Sequence, residues 1–238
     1  MSDNTKPYVL FHAQGVGSTF SQALLRLFKV PHELVVCDYE ETTKKEGPNY
    51  SRLLDANPLA QFPTLITPEG YVMTEMVAIA LYLHDRFAPS TSWDLGSLSP
   101  IQLAAFYRWF IFVPANVYPL LTIGEFPARF VHVPDDSPVD SKTIESWITK
   151  GTFARREEIW KMMEREMTKD LQDGKFLLGT ECPTLLDVLI ALVSHWTPHP
   201  RYTWLEENCP KITKNVKETL RTGVINEVFR ENELDGFL

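Results

Sequence analysis

The sequence predicts an α/β domain followed by an all-helical domain. Up to about residue 87, short apolar runs rich in β-forming residues alternate with helical patterns. From residue 101 onward, the apolar residues recur only at helical spacing. The polar segment between these halves contains Pro, Ser and Gly, which is typical of a linker. We therefore predict one domain over 1–87, a linker over 88–100 and a helical domain over 101–238.

The elements of the first half follow the order β-α-β-α-β-β-α, which is typical of a small mixed α/β domain. They are predicted at 8–13, from Ser18 to Phe28, at 33–37, 47–56, 63–67 and 71–73, and from Thr74 to about Phe87.

In the second half, helices are predicted over 101–124, 142–172, 184–197 and 208–220, and the tail beyond 224 has no clear pattern. The helix over 184–197 is apolar nearly all round, so we expect it to be buried. Thr184 and Asp187 stand three residues apart at its start, the spacing of a capping box. We expect their role to be structural.

The charge, the cysteines and the apolar stretches exclude several classes of function. The 238 residues include 23 Lys and Arg against 31 Asp and Glu, and a net charge of −8 argues against a nucleic-acid surface. The three cysteines, Cys37, Cys182 and Cys209, match no zinc or redox spacing and suggest a reducing compartment. With no signal pattern and no apolar stretch of membrane length, we expect a cytoplasmic protein without a membrane partner.

His195 and His199 suggest a metal-binding site, but the surrounding sequence does not support one. Two histidines four residues apart need a helix, and Pro198 breaks that helix between them. No nearby carboxylate or cysteine supplies a third ligand, so we expect no metal.

Pro63, in the stretch NPLAQFPTL, stands at the start of a predicted strand, where a proline removes a main-chain hydrogen-bond donor from the sheet. One solution is a cis Phe62–Pro63 bond, which turns the main chain of Phe62 outward for pairing with an extended peptide. The alternative is an ordinary trans proline at the start of an edge strand. The spacing by itself favours the second solution.

Two predicted helix starts carry polar residues whose roles stay open. Thr74 is a plausible N-cap with Glu75 in the first turn, but Glu75 and the free amides there also suit an amino acid's ammonium and carboxylate. At the first helix, Thr19 and Gln22 have capping-box spacing. A hydroxyl of Ser18 or Thr19 could instead stabilise a thiolate at the helix N-terminus.

Taken together, these pieces resemble the soluble glutathione transferase family, in particular its bacterial and fungal serine-type branches. The resemblance covers nearly the whole chain and rests on three stretches in the family's order, NPLAQFPTL, TEMVAIALYL and FLLGTECPTLLDV. It implies a thioredoxin-like domain, a helical domain, a homodimer and glutathione as co-substrate.

The resemblance also implies a binding site. Phe62, beside cis-Pro63, would pair its main chain with the cysteinyl part of glutathione. Gln61 would reach the polar ends of the peptide, and Glu75 would bind the γ-glutamyl ammonium. Met76 stands where many relatives have a hydroxyl residue, so only its main-chain amide remains for the γ-glutamyl carboxylate.

The catalytic loop departs from the family pattern, because it contains no Tyr or Cys. Gly17 stands about where some relatives have a catalytic Cys. Ser18 or Thr19 stands where others have a catalytic Ser. We expect Ser18 to activate the thiol, since Thr19 pairs better with Gln22 as a cap.

By resemblance, Trp109, Asn116 and Tyr118 would line the pocket of a second substrate, although each also suits a helix core. The implied activity is transfer of glutathione to a small apolar electrophile. Glutathione-dependent isomerisation or ether cleavage is the alternative within enzymes. A non-catalytic binding or regulatory protein with this fold is the alternative of another class.

Overall fold

A computed structural model describes residues 6–169, 176–196 and 199–237. The chain forms two compact units. The first runs up to Leu98 and resumes from Thr219 to Gly236, and the second spans 99–218 with Phe237. The C-terminal segment, which the predicted boundaries placed in the helical domain, thus clusters with the α/β unit.

The first unit is built on one four-stranded sheet. Its strands are β1 (Tyr8–His12), β2 (His32–Val36), β3 (Thr64–Ile66) and β4 (Val72–Met73). They lie in the order β2-β1-β3-β4. β1 and β2 are parallel, whereas β3 is antiparallel to both β1 and β4. Leu10 faces Leu65 in the β1–β3 register, so the centre of the sheet is apolar.

Among the described residues, six helices belong to this unit. They are α1 (Ser18–Leu27), α2 (Tyr39–Thr43), α3 (Tyr50–Ala56), α4 (Met76–Phe87), a 3₁₀ turn (Leu95–Ser97) and, at the end of the chain, α11 (Gly223–Glu231). The short α2 was not predicted; the Asp38 side chain caps it by accepting from the Glu41 N–H at 2.8 Å. α11 packs on α1 and buries Ile225, Val228 and Phe229, which explains why the C-terminal segment joins this unit.

The α-helices that begin in the second unit are α5 (Pro100–Phe112), α6 (Tyr118–Glu125), α7 (Ser141–Glu166), α8 (Leu185–Ser194), α9 (Tyr202–Asn208) and α10 (Pro210–Thr219). A π-helical segment, Val113–Val117, joins α5 to α6, so the single helix predicted over 101–124 is divided. Every residue of α8 is buried, as its all-round apolar sequence predicted. A thioredoxin-like sheet domain followed by helices confirms the predicted fold class.

The predicted capping box at the start of α8 is present. The Thr184 hydroxyl accepts from the Leu186 N–H at 3.2 Å, and Asp187 accepts from the Thr184 N–H at 2.6 Å. The other Asp187 oxygen accepts from the Leu177 N–H and from the Asn215 amide, each at 2.9 Å. Burial raises the pKa of the Asp187 carboxyl, and these hydrogen bonds oppose that rise.

Among the described residues, no helix has both the length and the apolar character needed to cross a membrane.

Candidate functional site

The loop between α3 and β3 is held by one buried side chain, Asn57. Its amide donates to the Thr64 hydroxyl at 2.9 Å, and that hydroxyl donates to the Gln61 carbonyl at 2.8 Å. The Asn57 oxygen accepts from the Leu59 N–H at 3.1 Å. Asn57 opens the NPLAQFP stretch, but it was not predicted to support the site.

Within this loop the Phe62–Pro63 bond is cis, so the trans proline that the spacing by itself favours is wrong and the bond that the resemblance implies is present. The Phe62 ring packs against the apolar cluster of Phe11, Val35, Cys37 and Leu53. Among the residues that the structure describes, none hydrogen-bonds to the main chain of Phe62. An extended peptide can therefore pair with it. Gln61 is exposed beside it.

The start of α1 lies directly against this loop. Gly17 is the residue before the helix and has φ −54°, which any residue adopts. A Cβ atom at Gly17 would lie 3.4 Å from Pro63 Cδ, 3.6 Å from Met76 Sδ and 3.6 Å from the Phe62 carbonyl oxygen. The missing side chain thus marks the place where α1, the proline loop and α4 meet.

The structure corrects both predictions for the hydroxyls of α1. Ser18, which we expect from the sequence to activate the thiol, is 0% exposed. Its Oγ instead accepts from the Ala13 N–H at 3.1 Å and lies 2.9 Å from His12 Nδ1. Thr19 forms no capping box, because Gly17 precedes the helix and no side chain caps it. The Thr19 hydroxyl donates to Asn232 Oδ1 at 3.0 Å.

Two polar residues near this helix start, His12 and Asn232, were missed by the sequence reasoning. His12 ends β1 and is buried, and burial lowers its pKa to about 4 against weaker opposing hydrogen bonds with Asn232 and Ser18. Its imidazole is therefore neutral at pH 7. Asn232 lies more than two hundred residues from Gly15 and Thr19, so no local pattern could have revealed it.

Glu75 and Met76 begin α4. Glu75, not Thr74, is the residue before the helix, which corrects the predicted N-cap. Its φ of 66° and ψ of 107° are rare for a residue with a side chain, and such backbone geometry costs about 1–3 kcal/mol. The exposed Glu75 carboxylate accepts from the Thr74 hydroxyl at 3.3 Å. Met76 is buried and points its sulfur towards Gly17.

The three residues predicted to line a second pocket lie in the second unit. Trp109 is buried beneath the Arg108 guanidinium, which lies 4.4 Å from its ring. Asn116 is exposed and donates to the Phe112 carbonyl at 3.2 Å. Tyr118 packs on Trp196 with ring centroids 4.7 Å apart. Asn116 and Tyr118 fall at or beside the π-helical segment, a feature frequent at functional sites. Pro198, the basis for expecting no metal at His195 and His199, lies outside the described residues.

Comparison with known proteins agrees with this geometry. Residues 21–86 match the family model described as glutathione S-transferase, N-terminal domain. The GST-like protein YncG of Escherichia coli K12, described as uncharacterized, is 26% identical over 226 residues, which cover 94% of this chain and 98% of that protein. The chain is thus similar to glutathione S-transferases, through this N-terminal domain and through a GST-like relative along nearly its whole length.

Solved glutathione transferases share the fold. A homologue from Sulfitobacter with bound glutathione superimposes with a TM-score of 0.73 at 15% identity, covering 94% of this chain and 98% of that one. The glutathione transferase URE2P6 from Phanerochaete chrysosporium, in complex with oxidized glutathione, gives 0.71 at 18% identity, covering 98% and 99%. The chain therefore has the fold of these solved glutathione transferases.

Proposed function

We propose that this protein is a glutathione transferase that joins the glutathione thiol to a small apolar electrophile. The observation that carries the proposal is the junction of Gly17, cis-Pro63 and Met76, with the Phe62 main chain open beside it. The glutathione-bound homologues of the same fold support it.

In this proposal the tripeptide binds in an extended conformation along the proline loop. Phe62 pairs its main-chain N–H and carbonyl with the cysteinyl residue, as an added strand does. The Glu75 carboxylate binds the γ-glutamyl ammonium, and the Met76 N–H at the start of α4 binds the γ-glutamyl carboxylate. Gln61 is exposed at the loop and reaches the polar ends of the peptide.

The thiol would then lie against Gly17, at the N-terminal end of α1. Helix N-termini favour negative charge, so a thiolate is stabilised there. The hydroxyls of Ser18 and Thr19 are engaged inside the protein, and we therefore assign them to the support of the loop. The thiol gives its proton to solvent, and the sulfur bonds to the electrophilic carbon. The leaving group departs with the electron pair of the broken bond.

Trp109, Asn116 and Tyr118 are proposed to contact the electrophile. Isomerisation and ether cleavage would use the same thiolate and differ only in the second substrate. We further propose that the protein works in the cytoplasm. We also propose that it is a homodimer, and an apolar face on α5 supports this. The exposed apolar residues of α5 are Ile101, Ala104, Tyr107 and Ile111, and the exposed Arg108 lies among them.

Isothermal titration calorimetry tests the glutathione site. We expect wild type to bind glutathione with a dissociation constant between about 1 μM and 1 mM. Glu75→Ala should weaken binding about tenfold, because it removes a charge-assisted hydrogen bond. Glu40→Ala, at an equally exposed glutamate on α2, should bind as wild type does. Equal affinities for all three proteins would remove Glu75 from the site, and no binding by wild type would refute the proposal.

The second candidate is a glutathione-binding protein without transferase activity. It is favoured by Met76, which lacks the hydroxyl of many relatives, and by the buried state of Ser18. Conjugation assays with a panel of aromatic halides and epoxides separate the candidates. Tight glutathione binding without turnover of any electrophile would support the second one.

A further inference from the structure

Asn232, the residue that ends α11, connects the C-terminal segment to the loop before α1. Its Oδ1 accepts from the Gly15 N–H at 3.2 Å and from the Thr19 hydroxyl at 3.0 Å. Its Nδ2 donates to Gln22 Oε1 at 2.9 Å. One side chain thus contacts the loop and the first two turns of α1 at three points.

The Asn232 side chain is itself held in a fixed orientation. It is 2% exposed, so solvent does not compete for its hydrogen bonds. Its Nδ2 also donates to the Val228 carbonyl at 2.8 Å, and its main-chain N–H donates to Val228 and Phe229 carbonyls at 3.2 and 3.1 Å. A side chain bonded to its own helix in this way transmits the position of α11 to whatever it contacts.

The loop from Gln14 to Gly17 therefore has supports on both sides. On one side Asn232 holds Gly15, whose φ of +70° is a left-handed conformation that favours glycine. On the other side, Gly17 lies against Pro63 and Met76. Between these supports the chain changes direction from β1 into α1, so the Gly15 contact sets where Gly17 lies.

We propose that Asn232 is a positioning residue for the glutathione site: it holds the 14–17 loop so that the start of α1 meets the thiol. This inference rests on the proposed function, because it concerns the same site. Asn232 acts through Gly15 and Thr19 and does not itself contact glutathione. Without it, α1 still forms, but its first residues no longer have a fixed position against Pro63.

The test compares Asn232→Leu, which removes the hydrogen bonds, with Asn232→Asp, which keeps the oxygen that accepts from Gly15. Arg26→Gln is the matched control. Arg26 pairs with Glu227 at 3.0 Å and with Glu231 at 2.6 Å, so this variant loosens the same helix pair without touching the loop. Each variant is studied well below its melting temperature, so that only folded protein is compared.

Two readouts separate positioning from mere stability. Ultraviolet absorbance of the bound thiolate should show the ionised fraction of glutathione falling about tenfold in Asn232→Leu, with partial recovery in Asn232→Asp. Amide hydrogen exchange at Gly15 should become about tenfold faster in Asn232→Leu. Arg26→Gln should lower the melting temperature and leave both readouts unchanged.

A folded Asn232→Leu protein with the wild-type thiolate fraction would overturn the inference, whatever its melting temperature. So would an unchanged exchange rate at Gly15. Failure of the proposed function looks different, because wild type itself would then not bind glutathione. Exchange at Gly15 needs no ligand, so it would still decide whether Asn232 holds the loop.

Discussion

Ser18 and Thr19 demonstrate at the level of single residues that burial decides what a hydroxyl group can do. Both stand where the resemblance seen in the sequence implies thiol chemistry, and both are fully buried. Ser18 bonds to the turn after β1, and Thr19 bonds to Asn232. The Ser18 hydroxyl satisfies the Ala13 N–H, and a buried donor left without an acceptor costs about 1–3 kcal/mol. The Thr19 hydroxyl shares the Asn232 oxygen with the Gly15 N–H. Their first task is therefore to shape the loop.

His12 makes a prediction about the pH dependence of stability. Its pKa is lowered to about 4 in the folded protein by burial, against an ordinary value of 6.5 in the unfolded chain. The unfolded chain thus binds a proton that the folded protein does not between these values. The contribution of His12 to the free energy of unfolding is complete above about pH 6.5. It is lost as the pH falls towards 4, and the loss reaches about 3 kcal/mol.

Urea denaturation at a series of pH values between 4 and 7 checks this expectation. In His12→Asn, which carries no titrating group, that part of the slope should disappear, although the overall stability will be lower. His32→Asn, at the partly exposed histidine of β2, serves as the control and should keep the wild-type slope. An unchanged slope in His12→Asn would show that other groups cause the acid sensitivity.

At the level of elements, the start of α8 shows why a capping motif is readable from sequence. Its residues are local, and its hydrogen bonds depend on the spacing of Thr184 and Asp187. The tertiary structure adds more: Asp187 also accepts from Leu177 and Asn215. The cap of the buried helix thus holds a loop and a second helix as well.

Substitutions at this cap should differ in how much they lower the free energy of unfolding. Thr184→Ala should lower the free energy of unfolding by about 1 kcal/mol, the usual value of a cap. Asp187→Ala should lower it by about 3 kcal/mol, because it leaves several buried donors without an acceptor. Thermal denaturation followed by circular dichroism measures both.

Asp140→Ala is the control for a cap in an exposed setting. Asp140 caps α7 by accepting from the Thr143 N–H at 3.0 Å, and its loss should cost about 1 kcal/mol. If Asp187→Ala were no more harmful than Asp140→Ala, the additional bonds of Asp187 would contribute nothing measurable.

At the level of the whole molecule, the apolar face of α5 predicts self-association. Ile101 is 82% exposed, and Tyr107 and Ile111 on the same helix are about half exposed. Several large apolar side chains exposed on one helix favour an interaction site. We expect light scattering to give twice the chain mass at micromolar concentration.

Ile111→Asp should convert this dimer into a monomer, because a charge buried in an apolar interface loses its solvation. Leu59→Asp is the control, since Leu59 is an exposed apolar residue of the first unit outside that face. A monomeric wild type, or a dimer that survives Ile111→Asp, would contradict the prediction.

The short elements mark the limit of prediction from sequence. α1 and α4 have a clear apolar periodicity, β1 and α8 are continuous apolar runs, and the structure contains all four. The five-residue α2 has too few positions to show a period, and α11 carried no clear signal. α11 is stabilised by packing on α1, and a contact between distant segments leaves no spacing in either of them.

The features of the site also divide into those that depend on local sequence and those that depend on distant contacts. The sequence by itself determined the fold class and the order of the proline loop and α4, because these depend on residues close together in the chain. The spacing favoured a trans Pro63 and Thr74 as the N-cap, and the structure corrects both. Only the tertiary structure decided which way the Ser18 and Thr19 hydroxyls point and that Asn232 supports their loop. Those outcomes depend on a helix more than two hundred residues away, whose hydrogen bonds exist only once the first unit has folded.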